Sequence, residues 1–224
     1  MSRFLLTRRS AIAGGAILAA APGVARAAPA VPPSMCVLTP QATAGPFWFD
    51  PELQRADITE DREGAGLKLR VNVVDADGCA PIEGARVDIW QCDAAGLYSG
   101  YARQGFDGGV DARGETFLRG WQPTGPAGAA EFKTIYPGTY PIRVTHIHLK
   151  VFLDERTALT AQIYFPEDVT HGVYRGRPLY ADSVPNVEPN RNDRIFRGAG
   201  DSMVAEIGEA GGAMTAEVTV GVRA

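Results

Sequence analysis

His146 and His148, two of only three histidines in the chain, stand one residue apart in the run Thr139–Val151, TYPIRVTHIHLKV. In a β-strand successive side chains alternate, so both imidazoles share one face while Ile147, Leu149, Val151 and Leu153 take the other. Their Cα atoms are then about 6.6 Å apart, which lets both rings reach one ion from adjacent coordination positions. Lys150 shares that face, which could simply meet solvent, so the pair needs further donors before it counts as a metal site.

Carboxylates are poor candidates for those donors. Asp154 and Glu155, the nearest acids downstream, lie at the far end of the strand and do not suit a ferrous site of two histidines and one carboxylate. A cupin glutamate would fall in a stretch that is apolar here. A zinc hydrolase with three histidine ligands would need His171 beside His146 and His148, and this is the second reading. Phenols are better partners. Tyr140 sits in the rigid turn Pro137-Gly138-Thr139-Tyr140-Pro141, and Tyr98 ends IWQCDAAGLY just past a strand. Tyrosinate is a hard anionic oxygen donor suited to ferric iron, and a trivalent ion can strip the phenol proton despite an ordinary pKa near 10. A single tyrosine is usually an ordinary packed ring; the combination carries the inference.

The elements that must position these residues show period-two patterning. Leu67, Leu69, Val71 and Val73 alternate with Lys68, Arg70 and Asn72, and the same pattern recurs at Ala85–Ile89 and Ala216–Val220. Further strands are expected around Thr116–Trp121, Ala130–Ile135, His146–Leu153 and Leu159–Phe165, separated by turn signals such as DADG and PTGPAG. Asp201–Ala210, DSMVAEIGEA, could form a short helix, and Asp182–Arg197 reads as a long polar loop. With no helical period sustained for three turns and 26 Gly and 16 Pro in the chain, the expected fold is an all-β antiparallel sandwich.

Residues 1–27 stand apart as a targeting segment, with Arg8-Arg9 after Thr7, an Ala/Gly run and Ala25-Arg26-Ala27. The arginine pair suggests twin-arginine export to the periplasm or medium. The apolar run is shorter than the ~20 residues that span a bilayer, and Gly and Pro interrupt it. Setting aside its four arginines leaves 18 basic and 26 acidic side chains, a formal charge of −8, which argues against nucleic acid or an anionic membrane surface as partner. Of three cysteines, Cys79 and Cys92 flank one strand and would pair awkwardly, so Cys36 with Cys92 is the expected disulfide.

The motifs GARVDIWQCDAAGLYS (Gly84–Ser99), FKTIYPGTYP (Phe132–Pro141), RVTHIHLKV (Arg143–Val151) and TAQIYFPED (Thr160–Asp168) together resemble the intradiol ring-cleavage dioxygenases, the family of the protocatechuate, catechol and hydroxyquinol enzymes. TAGPF (Thr43–Phe47) is similar to a segment that lines the family's pocket, and the resemblance covers most of Cys36–Asp168. It implies a sandwich of transthyretin-like topology in residues 67–224, preceded by a linker and pocket-lining segment, 28–66. It further implies Fe(III) held by Tyr98, Tyr140, His146 and His148, with Tyr140 the ligand that leaves on substrate binding, Arg143 as the active-site arginine and Gln162 behind the ligands. A catecholic substrate and O2 would yield a muconate-type diacid, and a homo-oligomer is allowed. Two departures leave the substrate open: 39 residues (28–66) are too few for the N-terminal helical domain of catechol-type enzymes, and the gap from Tyr140 to His146 is shorter than in the protocatechuate type. The third reading is a metal-free sandwich that binds a ligand on its aromatic side chains.

Overall fold

The structure, a computed structural model, describes residues 37–184 and 188–223; the expected export segment and Cys36 lie outside the described residues. The strands are β1 Gly66–Asp75, β2 Arg86–Trp90, β3 Arg119–Pro123, β4 Ala129–Ile135, β5 His146–Leu153, β6 Arg156–Tyr164, β7 Glu206–Ala210 and β8 Ala213–Val222. Helices α1 Glu167–Arg175 and α2 Arg194–Ala199 lie between β6 and β7. No helix among the described residues is long and apolar enough to cross a membrane.

Two four-stranded sheets, ordered β4-β1-β8-β7 and β3-β2-β5-β6, pack face to face as the expected all-β sandwich. One pairing departs from a fully antiparallel arrangement: β1 runs parallel to β8, Leu67 facing Met214 and Val73 facing Val220. The alternating apolar residues explain the core. Leu67, Leu69, Val71 and Val73 of one sheet meet Val87, Ile89, Ile147, Leu149 and Val151 of the other, all buried in one cluster. Truncating a fully enclosed member such as Ile147 to alanine would cost about 2–5 kcal/mol. Residues 37–60 lie against the sandwich, with Leu38 bridged to Gly221, Gln54 to Trp121 and Asp57 to Lys133.

Four expectations are corrected. Asp201–Ala210 is not a helix: a short 3-10 turn, Asp201–Met203, leads into β7, which pairs with β8. Gly211 and Gly212, both at positive φ, make the tight connection that this hairpin requires. The polar stretch 182–197 carries α2, capped by the Asp193 carboxylate accepting from the Ile195 and Phe196 amides. The third strand begins only at Arg119, because Leu118 adopts a left-handed conformation that turns the chain. Cys92 is a free, buried thiol donating to the Gly138 carbonyl at 3.4 Å, so it is not half of a Cys36–Cys92 disulfide; Cys79 is the disulfide-bonded residue.

Candidate metal centre

The site lies on the outer face of the β3-β2-β5-β6 sheet, where strand register sets its members side by side. His148 is flanked by Trp90 of β2 and Gln162 of β6, and His146 lies beside Tyr164. Because Ile147 and Leu149 are anchored in the core, alternation turns both histidines outward. Yet they are 2% and 1% exposed: Trp90 stacks on His148 at 4.7 Å, Tyr140 and Tyr164 pack beside His146, and Gly45 of the segment 41–49 lies close against His148. That segment is tied down by the Gln41 side chain, which accepts from Thr160 N, and by the Thr43 carbonyl, which accepts from Gln162 Nε2 at 3.0 Å. Phe47 stacks on Tyr98 at 4.5 Å and Trp48 packs against Trp90. Of the Thr43–Phe47 segment, Phe47 also lines the small cavity beside Tyr140.

Both phenols arrive on loops that touch each other. Asp93 accepts from the Ala95 and Leu97 amides, which folds the loop after β2 and turns Tyr98 inward. At Gly96, with φ +83°, a Cβ would sit 2.5 Å from the Thr139 carbonyl oxygen, so only glycine lets this loop meet the turn that carries Tyr140. Tyr98 is fully buried, whereas Tyr140 is half-buried and lines a cavity of about 120 Å³ with Phe47, Gly96, Arg103, Gln104 and Phe106. A larger cleft of about 480 Å³ lies on the other sheet among Lys68, Arg70, Glu131 and Lys133, and none of the four donors lines it.

The four expected ligand atoms converge. His146 Nε2 lies 3.1 Å from His148 Nε2, 3.4 Å from Tyr140 Oη and 3.5 Å from Tyr98 Oη. His146 Nδ1–H donates to the Val144 carbonyl at 2.7 Å, which leaves the lone pair on the inward Nε2. Burial, reinforced by the nearby Arg143 charge, lowers the His146 pKa to about 3, and burial followed by the His146 neighbour holds His148 well below the ordinary imidazole value. Burial also raises both phenols, Tyr98 strongly. The cluster therefore holds two neutral imidazoles and two phenols that keep their protons, and a multivalent cation is the kind of group that could displace those protons. Two nitrogen and two hard oxygen donors fit ferric iron.

Arg143 reaches the cluster through Nη1, 3.2 Å from His146 Nε2 and 3.4 Å from Tyr140 Oη. Its Nη2 donates to Gln162 Oε1 at 2.5 Å, and Tyr164 Oη donates to the same oxygen at 3.1 Å. The structure thus brings Arg143 and Gln162 together, with Gln162 holding the guanidinium. Sequence reasoning missed Asp193, which accepts Arg143 Nε–H at 2.7 Å and whose side chain is 1% exposed. The available signal was local: an Asp immediately before the short run Arg194-Ile195-Phe196 is a helix N-cap pattern.

His171 sits on α1 and does not join the pair. Among the described residues no three His, Cys, Asp or Glu side chains gather where they could hold a metal. The three-histidine zinc site is corrected accordingly: α1 follows β6 and packs its buried Thr170, Val173 and Tyr174 inward, while His171 is left at intermediate exposure.

Comparison with known proteins identifies the family. The dioxygenase family model matches residues 45–172. Hydroxyquinol 1,2-dioxygenase of Corynebacterium glutamicum is 31% identical over 139 residues, covering 55% of this chain and 45% of that protein. The protocatechuate 3,4-dioxygenase beta chain of Burkholderia cepacia is 36% identical over 126 residues, covering 50% and 52%. The chain spans about half the length of these curated relatives. The structure of an intradiol ring-cleavage dioxygenase from Tetranychus urticae superimposes with a TM-score of 0.76 at 29% identity, over 84% of this chain and 95% of that one. The family match runs over more than half of the chain and takes in both phenols, both imidazoles and Arg143, so the chain belongs to the intradiol ring-cleavage dioxygenase family.

Proposed function

We propose that the protein is an exported, Fe(III)-dependent enzyme that opens a catecholic ring between its two hydroxyl-bearing carbons with O2, giving a muconate-type diacid. The observation that carries this reading is the convergence of Tyr98, Tyr140, His146 and His148 on one buried point beside Arg143. Bound ferric iron would supply the Lewis acidity that draws a catechol towards its dianion and the redox capacity for reaction with O2.

The chain's own residues do the rest. Tyr140 lines the cavity, so its Oη is the atom placed to take a substrate hydroxyl proton, while enclosed Tyr98 stays fixed under Phe47. Arg143, locked by Asp193 and Gln162, holds a positive charge where the bound ring becomes electron-rich. Phe47 covers the two phenols, and Trp90, backed by Trp48, covers His148, which keeps bulk water from the donors. The export reading rests on Arg8-Arg9 and Ala25-Arg26-Ala27.

The test is metal analysis of the purified protein with O2 uptake on catechol, protocatechuate and hydroxyquinol. Near one iron per chain, a red-brown colour and consumption of at least one catechol support the reading. A colourless protein that consumes none of them when supplied with iron overturns it. Replacing Arg8 and Arg9 by lysine should leave precursor in the cytoplasm, and unchanged secretion would remove the export assignment.

A further inference from the structure

Arg119 is the most enclosed cation described, 1% exposed at the start of β3. Its three hydrogen bonds go to neutral acceptors: Nε to Ser99 Oγ at 2.8 Å, Nη2 to the Ser99 carbonyl at 2.8 Å and Nη1 to the Phe47 carbonyl at 2.6 Å. Ring faces complete its surroundings, with Phe49 at 4.4 Å, Tyr101 at 5.7 Å and Tyr98 at 5.9 Å. No carboxylate among the described residues pairs with it, in contrast to Arg143, whose partner is Asp193. Burying a cation without a counter-charge costs several kcal/mol, and a fold that needed only hydrogen bonds at this point could have used a neutral side chain. Its two backbone acceptors belong to Ser99, which follows Tyr98 in the chain, and to Phe47, which stacks on Tyr98.

We propose that Arg119 is a positioning residue for the Tyr98 donor: it clamps Phe47 and Ser99 around that ring and supplies the positive charge that a tyrosinate at position 98 faces. The proposal rests on the ferric-tyrosinate reading above. Tyr98 as a phenolate would be the missing anion, and the guanidinium has no other among the described residues. A cation beside the ring lowers the energy of the phenolate electrons, so exciting them from Tyr98 to the metal requires more energy with Arg119 in place than without it.

The experiment is visible absorption of the iron-loaded protein for wild type, Arg119→Met and Arg119→Lys, with iron content and thermal unfolding measured alongside. Arg119→Met should move the tyrosinate-to-metal band to longer wavelength, and Arg119→Lys, which keeps the charge with fewer hydrogen bonds, should hold it near wild type. If Arg119→Met does not fold, Arg119→Gln, which keeps a donor for Ser99 without the charge, replaces it with the same expected shift. A coloured wild type with an unmoved band in the neutral variant overturns the inference, as does an equal shift in Arg119→Lys. A wild type that takes up no iron and shows no band instead overturns the ferric reading on which the inference stands.

Discussion

Asp193 accepts the Arg143 Nε–H at 2.7 Å across fifty positions of the chain, and the same carboxylate caps α2 through the Ile195 and Phe196 amides. One side chain thus fastens a helix and aims a guanidinium at His146 and Tyr140. Removing one partner of such a buried pair costs about 3–5 kcal/mol, because the other charge is left uncompensated. Asp193→Ala should lower the melting temperature by on the order of 10 °C and reduce turnover. Asp193→Asn, which keeps the cap, should recover part of the stability and little of the turnover. Calorimetry with O2 uptake checks both, and an Asp193→Ala protein as stable and active as wild type would contradict the pairing.

The two phenols should differ, because Tyr98 is sealed under Phe47 while Tyr140 lines the cavity. Tyr140→Phe should retain iron, change the visible spectrum and bind catechol more slowly in anaerobic stopped-flow mixing. Tyr98→Phe should lose more iron. An unchanged spectrum and binding rate in Tyr140→Phe would reduce Tyr140 to an ordinary turn residue.

Gly45 adopts φ +69°, and a Cβ there would lie 3.3 Å from His148 Cε1. Alanine at this position is strained by the backbone and crowds the imidazole, a combined cost of roughly 1–3 kcal/mol. Gly45→Ala should therefore lower stability and weaken iron retention together, whereas Gly66→Ala, where a Cβ meets nothing within 4 Å, should leave iron retention intact. Dialysis against a chelator would separate the two variants, and equal iron loss would count against the close approach.

The Lys133 hydrogen bond, with the Thr59 hydroxyl and amide, lowers the Asp57 carboxyl from 3.8 to about 2. A depressed carboxylate stabilises the fold fully above its unfolded value, near 3.8, and that stabilisation disappears as pH falls through about 2. The pair is exposed, so screening keeps the contribution below about 1 kcal/mol. Asp57→Asn should be slightly less stable than wild type at neutral pH and converge with it near pH 2. Urea unfolding at both pH values tests this, and a gap that does not narrow in acid would refute it.

Where period-two alternation was strong, the fold was legible: β1, β2, β5 and β8 follow runs such as Leu67–Val73 and Ala216–Val220, and β4 and β6 lie where further strand-like runs were expected. The strand β5 was also what placed His146 and His148 together. β7 was not legible, because Glu206-Ile207-Gly208-Glu209-Ala210 holds one large apolar residue and owes its strand to pairing with β8. Asp193 and Arg119 escaped notice for a different reason. Each acts through contacts far apart in sequence, Asp193 on Arg143 and Arg119 on Phe47 and Ser99; the N-cap pattern at Asp193 marks the start of α2 and is silent on Arg143. The cysteine pairing failed because spacing along one strand says little about which thiol the packed interior will enclose.

The parallel pairing of β1 with β8 has a kinetic consequence. In the order β4-β1-β8-β7 these are the two central strands, yet Leu67 and its partner Met214 are 147 residues apart in sequence. Neither strand has both neighbours until nearly the whole domain has been synthesised, and closing so long a loop must precede the contacts that repay it. Folding should consequently be slow and late. Before β8 docks, β1 would present an open hydrogen-bonding edge flanked by Leu67, Leu69 and Val71, the species in which this chain is most exposed to self-association.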